Sequence, residues 1–174
     1  MLSSETCRSI DREIAKYPAD QKQSAVMSAL ALVQGEHGWL STELMDAVAA
    51  YLGMPPVAVY EVASFYTMYN LRPAGRFKVT ICTNLPCALR GADAAAEHLK
   101  AKLGIGFNET TADGAFTLKE GECMGACGDA PVLVVNDRRM CSFMSDAKLD
   151  ELVDDLKSAA ARGEGNRVHA EASK

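Results

Sequence analysis

Several things are scarce in this sequence of 174 residues, and each scarcity removes a class of function. Long apolar runs are missing: stretches such as Ser24 to Val33 and Pro131 to Val135 are short and bounded by polar residues. They fall well under the ~20 residues a membrane span requires. Basic charge is not concentrated, since 18 Lys and Arg are scattered among 23 Asp and Glu for a net charge of -5. That lacks the electrostatic footprint of a nucleic-acid binder. The first residues carry Glu5, Arg8, Asp11 and Arg12 where a secretory signal would place its apolar core, so export is not expected. Gly104 and Gly106 form no GxGxxG, and no Walker or Rossmann signature occurs, so the chain is not expected to bind NADH itself. The sequence also lacks an internal repeat. A cytoplasmic life among protein partners is the expectation, with neither nucleic acid nor a direct membrane span.

The length is enough for one ordinary domain, or for a compact domain with an attached helical extension, and therefore for a core that needs no covalent staples. The first 75 residues read as helices. A weak one covers Glu5 to Lys16. Asp20 and Gln23 resemble a capping box for a second, with Val26, Leu30 and Val33 on one face and Gly35 as its end. A third starts at Ser41 or Thr42, buries Leu44, Val48 and Leu52, and stops at Gly53. A fourth opens on Pro55-Pro56 and carries Val59, Val62, Ala63 and Tyr66 on one stripe. By their spacing Phe65, Tyr66 and Tyr69 are expected mainly in the core. His37, between Gly35 and Gly38, reads as a turn residue.

Leu71 to Arg76 mixes Pro and Gly between two differently patterned halves and marks a boundary. Beyond it Phe77, Val79 and Ile81 alternate with Lys78 and Thr80, the period of a half-buried strand that delivers Cys82 at its end. Leu89, Ala92, Ala96, Leu99 and Leu103 mark a helix closed by Gly104. Ala115 to Lys119 and Pro131 to Val135 read as strands. Asn136 and Asp137 supply a turn, and Arg138 to Phe143 can return as the hairpin partner. A last helix from Asp146 buries Leu149, Leu152, Val153 and Leu156. From Arg162 onward the polar composition reads as a disordered tail. The expected organisation is a helical domain over 1–75, a domain of mixed α/β order over 76–161, and a tail over 162–174.

Six cysteines carry the chemistry. Cys82 and Cys87 form C-x4-C at the end of a strand, and Cys123 and Cys127 form C-x3-C in a Gly-rich loop. Two short-range pairs on adjacent loops suit a 2Fe-2S cluster, which takes two thiolates per iron. Gly121, Gly125 and Gly128 would allow close approach of backbone N–H groups to the sulfurs. The side chains of Thr83 and Asn84 could donate to them as well. Four cysteines in two pairs also describe an all-thiolate zinc site, although zinc pairs are typically closer spaced and separated by less than the ~35 residues here. Three disulfides would need a secreted, core-poor chain. Cys141 reads as a small buried apolar residue and Cys7 as inert.

The runs CTNLPCALRG at Cys82 to Gly91 and ECMGACGDAPVLVVND at Glu122 to Asp137 resemble the thioredoxin-like 2Fe-2S ferredoxin subunits of bacterial NADH:quinone oxidoreductase, the E-chain family of respiratory complex I. QGEHGWL at Gln34 to Leu40 and EVASFYTMY at Glu61 to Tyr69 are similar to its N-terminal part, so the resemblance spans roughly residues 10 to 160. It implies a helical bundle followed by a thioredoxin-like domain with a mixed sheet, of α+β or α/β class. It implies one 2Fe-2S cluster held by Cys82, Cys87, Cys123 and Cys127, which match the family's ligands. It also implies single-electron exchange with FMN on an adjacent NADH-binding subunit, a neighbouring iron-sulfur subunit in the same complex, and a peripheral place on the cytoplasmic side of the inner membrane. The equivalent subunit of a soluble NAD-linked hydrogenase or formate dehydrogenase is an alternative, as is a zinc-stabilised adaptor. The N-terminal boxes lean toward the respiratory enzyme. Thioredoxin kinship further suggests a cis peptide at Ala130-Pro131.

Overall fold

Four helices begin where a short polar side chain takes up a free backbone N–H. Ser3 accepts from the Thr6 amide at 3.1 Å, Ser41 from Leu44 at 3.3 Å, Asn84 from Leu85 at 3.0 Å and Ser145 from Lys148 at 3.5 Å. These caps set the starts of α1 (Ser4–Ile14), α3 (Thr42–Leu52), α5 (Leu85–Ala88) and α7 (Asp146–Ala161). The remaining helices are α2 (Val26–His37), α4 (Pro56–Phe65) and α6 (Ala92–Leu103). The computed structural model describes residues 2–165. They fall into two compact units that divide after Pro73.

The first unit is all helical. Ile10, Leu30, Val33, Leu40, Val48 and Val59 are buried in its centre, drawn from the apolar faces of α1 to α4 and the α2–α3 turn. Polar contacts join α1 to α2: Glu36 accepts from the hydroxyls of Ser3 and Thr6. Gln34 of α2 accepts from the Asn70 amide and donates to the Met68 carbonyl, which ties the end of the unit back to α2.

Several expectations need correction here. Asp20 caps no helix; a 3-10 turn at Lys22–Ala25 leads straight into α2. Gly35 does not end α2, which runs on to Gly38, a left-handed residue at φ 82°. A buried glycine inside a helix costs only ~1 kcal/mol against alanine, a penalty that the tertiary bonds of Gln34 and Glu36 on either side can outweigh. His37 is accordingly in the last helical turn. Phe65 is 77 % exposed and Tyr66 is 39 % exposed, while only Tyr69 is buried, its hydroxyl donating to the Met27 carbonyl at 2.9 Å. Phe65 lies six positions past Val59, on the far side of a helix with 3.6 residues per turn.

The second unit has a five-stranded sheet in the order β2-β3-β1-β4-β5, with β1 at Phe77–Cys82, β2 at Glu109–Thr110, β3 at Phe116–Gly121, β4 at Leu133–Val135 and β5 at Arg139–Cys141. β1 and β3 are parallel, in register from Phe77 opposite Phe116 to Cys82 opposite Gly121. The other pairs are antiparallel. A parallel pair needs a long crossover, which here holds α5 and α6. Val79, Ile81, Leu118 and Leu133 from the sheet meet Leu99 of α6 and Leu149, Val153 and Leu156 of α7 in a core of their own. Asn136 and Asp137 both have positive φ, 51° and 57°, and make the tight turn between β4 and β5.

The expected helix from Leu89 is interrupted. Gly91, at φ 91°, separates α5 from α6, and Leu89 is 77 % exposed rather than part of the buried stripe. The two-residue β2 was not foreseen, and β3 continues past Lys119 to Gly121 because its parallel partner continues to Cys82. At the end of α7, Gly163 and Glu164 donate to the Ala160 and Ala159 carbonyls, and Arg162 bonds Glu164 at 2.7 Å. The rest of the expected tail, 166–174, lies outside the described residues.

Candidate iron-sulfur site

The parallel register of β1 and β3 places the C-terminal ends of both strands side by side, and each end runs into a cysteine loop. Cys82 is the last residue of β1; Cys123 follows two residues after Gly121, the last of β3. The Thr83 amide donates to the Gly121 carbonyl at 3.2 Å, so the ladder carries on into the loops. From there α5 turns Cys87 back toward Cys82. The Cys87 amide bonds the Asn84 carbonyl at 2.9 Å, and the Cys82 amide bonds Val132 at 3.1 Å. The second pair is gathered by its own loop, where Cys123 and Cys127 hold their sulfurs 3.4 Å apart and the Gly125 N–H points at Cys123 Sγ from 3.5 Å.

The surroundings are small and apolar. Ala92, Ala130 and Val132 pack around Cys82 and Cys87, with Met124 and Ala126 against them. Cys82 and Cys87 are buried, whereas Cys123 and Cys127 are exposed. Burial, followed by the hydrogen bond with Cys82, pushes the Cys87 thiol up. The bond from Cys123 raises Cys127, and the Gly125 N–H followed by Cys127 lowers Cys123. Each of these three shifts has a neighbouring cysteine among its causes. A bound cation that takes these cysteines as thiolates must displace their protons.

Two glycines have a specific task. A Cβ on Gly121 would lie 2.7 Å from Thr80 Cγ2, so only glycine lets the two strand ends close together, and Gly125 sits at φ 77°. Gly128 has open space around it, so no contact within the chain requires glycine there. A second correction concerns Thr83 and Asn84. Their side-chain donors go to Glu120 and Glu122, each at 2.8 Å, and not to the sulfurs. These two carboxylates escaped sequence reading, which had no register to set residues 83 and 84 opposite 120 and 122. They clasp the first cysteine loop to the second.

The profile of the thioredoxin-like 2Fe-2S ferredoxin family matches residues 10–157. The chain belongs to that family. It is 44% identical over 142 residues to the E subunit of the NADH-quinone oxidoreductase of Rickettsia prowazekii (strain Madrid E), covering 81% of this chain and 80% of the relative. It is 40% identical over 165 residues to the mitochondrial NADH dehydrogenase [ubiquinone] flavoprotein 2 of Dictyostelium discoideum, covering 94% of this chain and 66% of that protein. In fold it is similar to a chain of an NAD+-reducing NiFe hydrogenase, with a TM-score of 0.65 at 22% identity over 74% of this chain. The match spans 22% of the hydrogenase chain, so the likeness concerns the fold alone.

The thioredoxin-like ferredoxin fold accounts for the mixed sheet, and the peptide between Ala130 and Pro131 is cis, as kinship suggested. Cys141, on edge strand β5, is half-buried and its thiol is raised by that burial. Cys7 lies on α1 in the helical unit. Among the described residues no three Cys, His, Asp or Glu side chains are already gathered closely enough to hold a metal ion, and no helix is long and apolar enough to cross a membrane. At the ends of β1 and β3 stand four cysteines in two pairs, Cys82 and Cys87 packed among apolar side chains and Cys123 and Cys127 exposed. That composition fits a 2Fe-2S group, which takes thiolate ligands and whose potential is set in part by its shielding from solvent.

Proposed function

We propose that the chain is the electron-transfer subunit of an NADH:quinone oxidoreductase, an oxidoreductase complex, and that Cys82, Cys87, Cys123 and Cys127 hold its 2Fe-2S cluster. The observation that carries this reading is the parallel β1–β3 pair, which ends both strands at one place with a cysteine pair on each. A cluster so held accepts and returns one electron at a time, and so can exchange with a two-electron flavin. Cys82 and Cys87 anchor the buried side, the Gly125 N–H is aimed at one sulfur of the exposed side, and Glu120 and Glu122 bond the first cysteine loop to the second.

The partner is the FMN- and NADH-binding subunit, with a neighbouring iron-sulfur subunit in the same assembly, peripheral on the cytoplasmic side of the inner membrane. Support comes from the kinship with NADH-quinone oxidoreductase and from apolar side chains that the helical unit leaves in water. Phe65 and Tyr66 stack edge to face at 5.1 Å, and Val57, Met68 and Leu71 are exposed with them. Exposed aromatic and apolar groups of this kind are the usual anchors of a protein interface. The domain organisation follows the same division of labour: residues 1–75 for docking and 76–161 for the cluster.

The test is electron paramagnetic resonance of the dithionite-reduced chain together with an iron and sulfide count. Two irons, two sulfides and a rhombic signal are expected. A colourless protein that holds zinc and stays silent would reject the redox assignment. Co-purification with a flavin subunit distinguishes the respiratory complex from a free-standing ferredoxin.

A further inference from the structure

The two cysteine pairs differ in access. Cys82 and Cys87 are each 1 % exposed, the first fixed in a strand and the second in a helix, whereas Cys123 and Cys127 are exposed with sulfurs 3.4 Å apart. A disulfide needs about 2.05 Å between sulfurs, so closing the outer pair asks for an approach of about 1.3 Å. The chain there can supply it. Residues 122–126 lie outside any helix or strand, between the end of β3 and the short turn Cys127–Asp129, and Gly125 already bends the loop at φ 77°. Closing the inner pair to an outside reagent would first require uncovering it from Ala92, Ala130 and Val132.

We propose that, in the cluster-free chain, Cys123 and Cys127 are a thiol-disulfide site that a low-molecular-weight disulfide such as glutathione disulfide oxidises reversibly. One thiolate of the pair attacks a sulfur of the reagent, forming a mixed disulfide and expelling one reagent thiolate. The second cysteine gives its proton to solvent, attacks the protein-bound sulfur and expels the other reagent thiol. Two electrons pass from the cysteine pair to the reagent, which becomes two thiols. The disulfide withholds half of the ligand set, so reduction must precede cluster loading. This last consequence rests on the ligand assignment proposed above, while the disulfide itself does not.

The experiment uses the full chain, stripped of iron by acid and chelator, and incubated with glutathione disulfide. Free thiols are then alkylated and the chain is digested and weighed. The expected product is a Cys123–Cys127 linked peptide lighter by two hydrogens, with Cys82 and Cys87 alkylated only after denaturation. Iron and sulfide uptake by the oxidised chain should fall to background and return after dithiothreitol. An 82–87 disulfide, stable mixed disulfides, or no reaction would overturn the proposal, and normal reconstitution of the reduced chain in the same experiment would leave the ligand assignment standing. A 123–127 disulfide with undiminished cluster uptake would overturn the loading switch and count against these cysteines as ligands.

Discussion

Replacing Gly121 by alanine tests the close approach on which the cysteine site depends. The added Cβ would lie 2.7 Å from Thr80 Cγ2, 3.0 Å from Met124 Cε and 3.5 Å from the Ile81 carbonyl. Favourable carbon contacts begin near 3.5 Å, so the overlap with Thr80 approaches ~1 Å. Met124 ends in a flexible thioether and can turn away. Thr80 is β-branched and held on a central strand, where χ1 is stiff, so the strands themselves must part. Overpacking of this kind costs ~1–3 kcal/mol, offset by ~0.4–1 kcal/mol from the reduced freedom of the unfolded chain. The expected net loss is therefore about 1–2 kcal/mol. Thr80→Ser removes the offending methyl at about 0.8 kcal/mol, and the double variant should recover the clash, with a coupling of ~1 kcal/mol or more. Hydrogen exchange at the buried amides of Val79 and Leu118 reads this locally, in the unit where the change is made. A Gly121→Ala chain as protected as the wild type, or a double variant no better than the sum of its parts, would refute the reasoning.

Gly75→Ala should be worse than Gly121→Ala, because its Cβ would meet the Phe116 backbone at 2.6–2.9 Å and no side chain can move aside; loss of folded protein at or beyond ~3 kcal/mol is expected in urea titration. Asp137→Asn keeps a residue that tolerates φ 57° but removes the charge that meets Lys78 Nζ at 2.5 Å, and Lys78 is only 4 % exposed. Since Asp137 is itself 40% exposed, the cost should be ~1–2 kcal/mol rather than the ~3–5 of a fully buried pair. Glu36 has its carboxyl held below the usual range, chiefly by the Thr6 hydroxyl. A depressed folded pKa gives stability that is present above the unfolded value of about 4.3 and is lost as pH falls through the lower folded value. Glu36→Gln should accordingly flatten the acid side of the stability curve below pH ~4 when thermal unfolding is followed by circular dichroism. Cys87→Ala or Cys123→Ala should abolish the reduced-state paramagnetic signal, and Cys7→Ala should leave it unchanged, since Cys7 belongs to the helical unit.

Local signals in the chain were enough to read the helices that carry their own caps. Ser41 and Gly53 bracket α3 as their positions suggest, and Asn136-Asp137 makes its turn without help from distant residues. Gly35 misled because a helix-ending glycine and a buried one look alike in sequence; the bonds from Ser3, Thr6 and Asn70 that favour continuation come from far along the chain. Phe65 and Leu89 misled for a related reason. An apolar residue states a preference for burial, but whether its face of the helix meets a core is settled by neighbours the local pattern does not contain.

The cysteines divide along the same line. Their number, their two short spacings and the strand before Cys82 depend only on covalent order, so the sequence by itself determined a pair of two-thiol loops and the class of group they suit. Which pair is shielded, that Thr83 and Asn84 serve Glu120 and Glu122, and that Gly121 alone of the loop glycines is held against a neighbouring strand were decided by the tertiary structure alone. Those outcomes follow from the parallel register of β1 against β3, a contact between segments some forty residues apart. Spacing along a chain cannot encode distance across a sheet until the strands are paired.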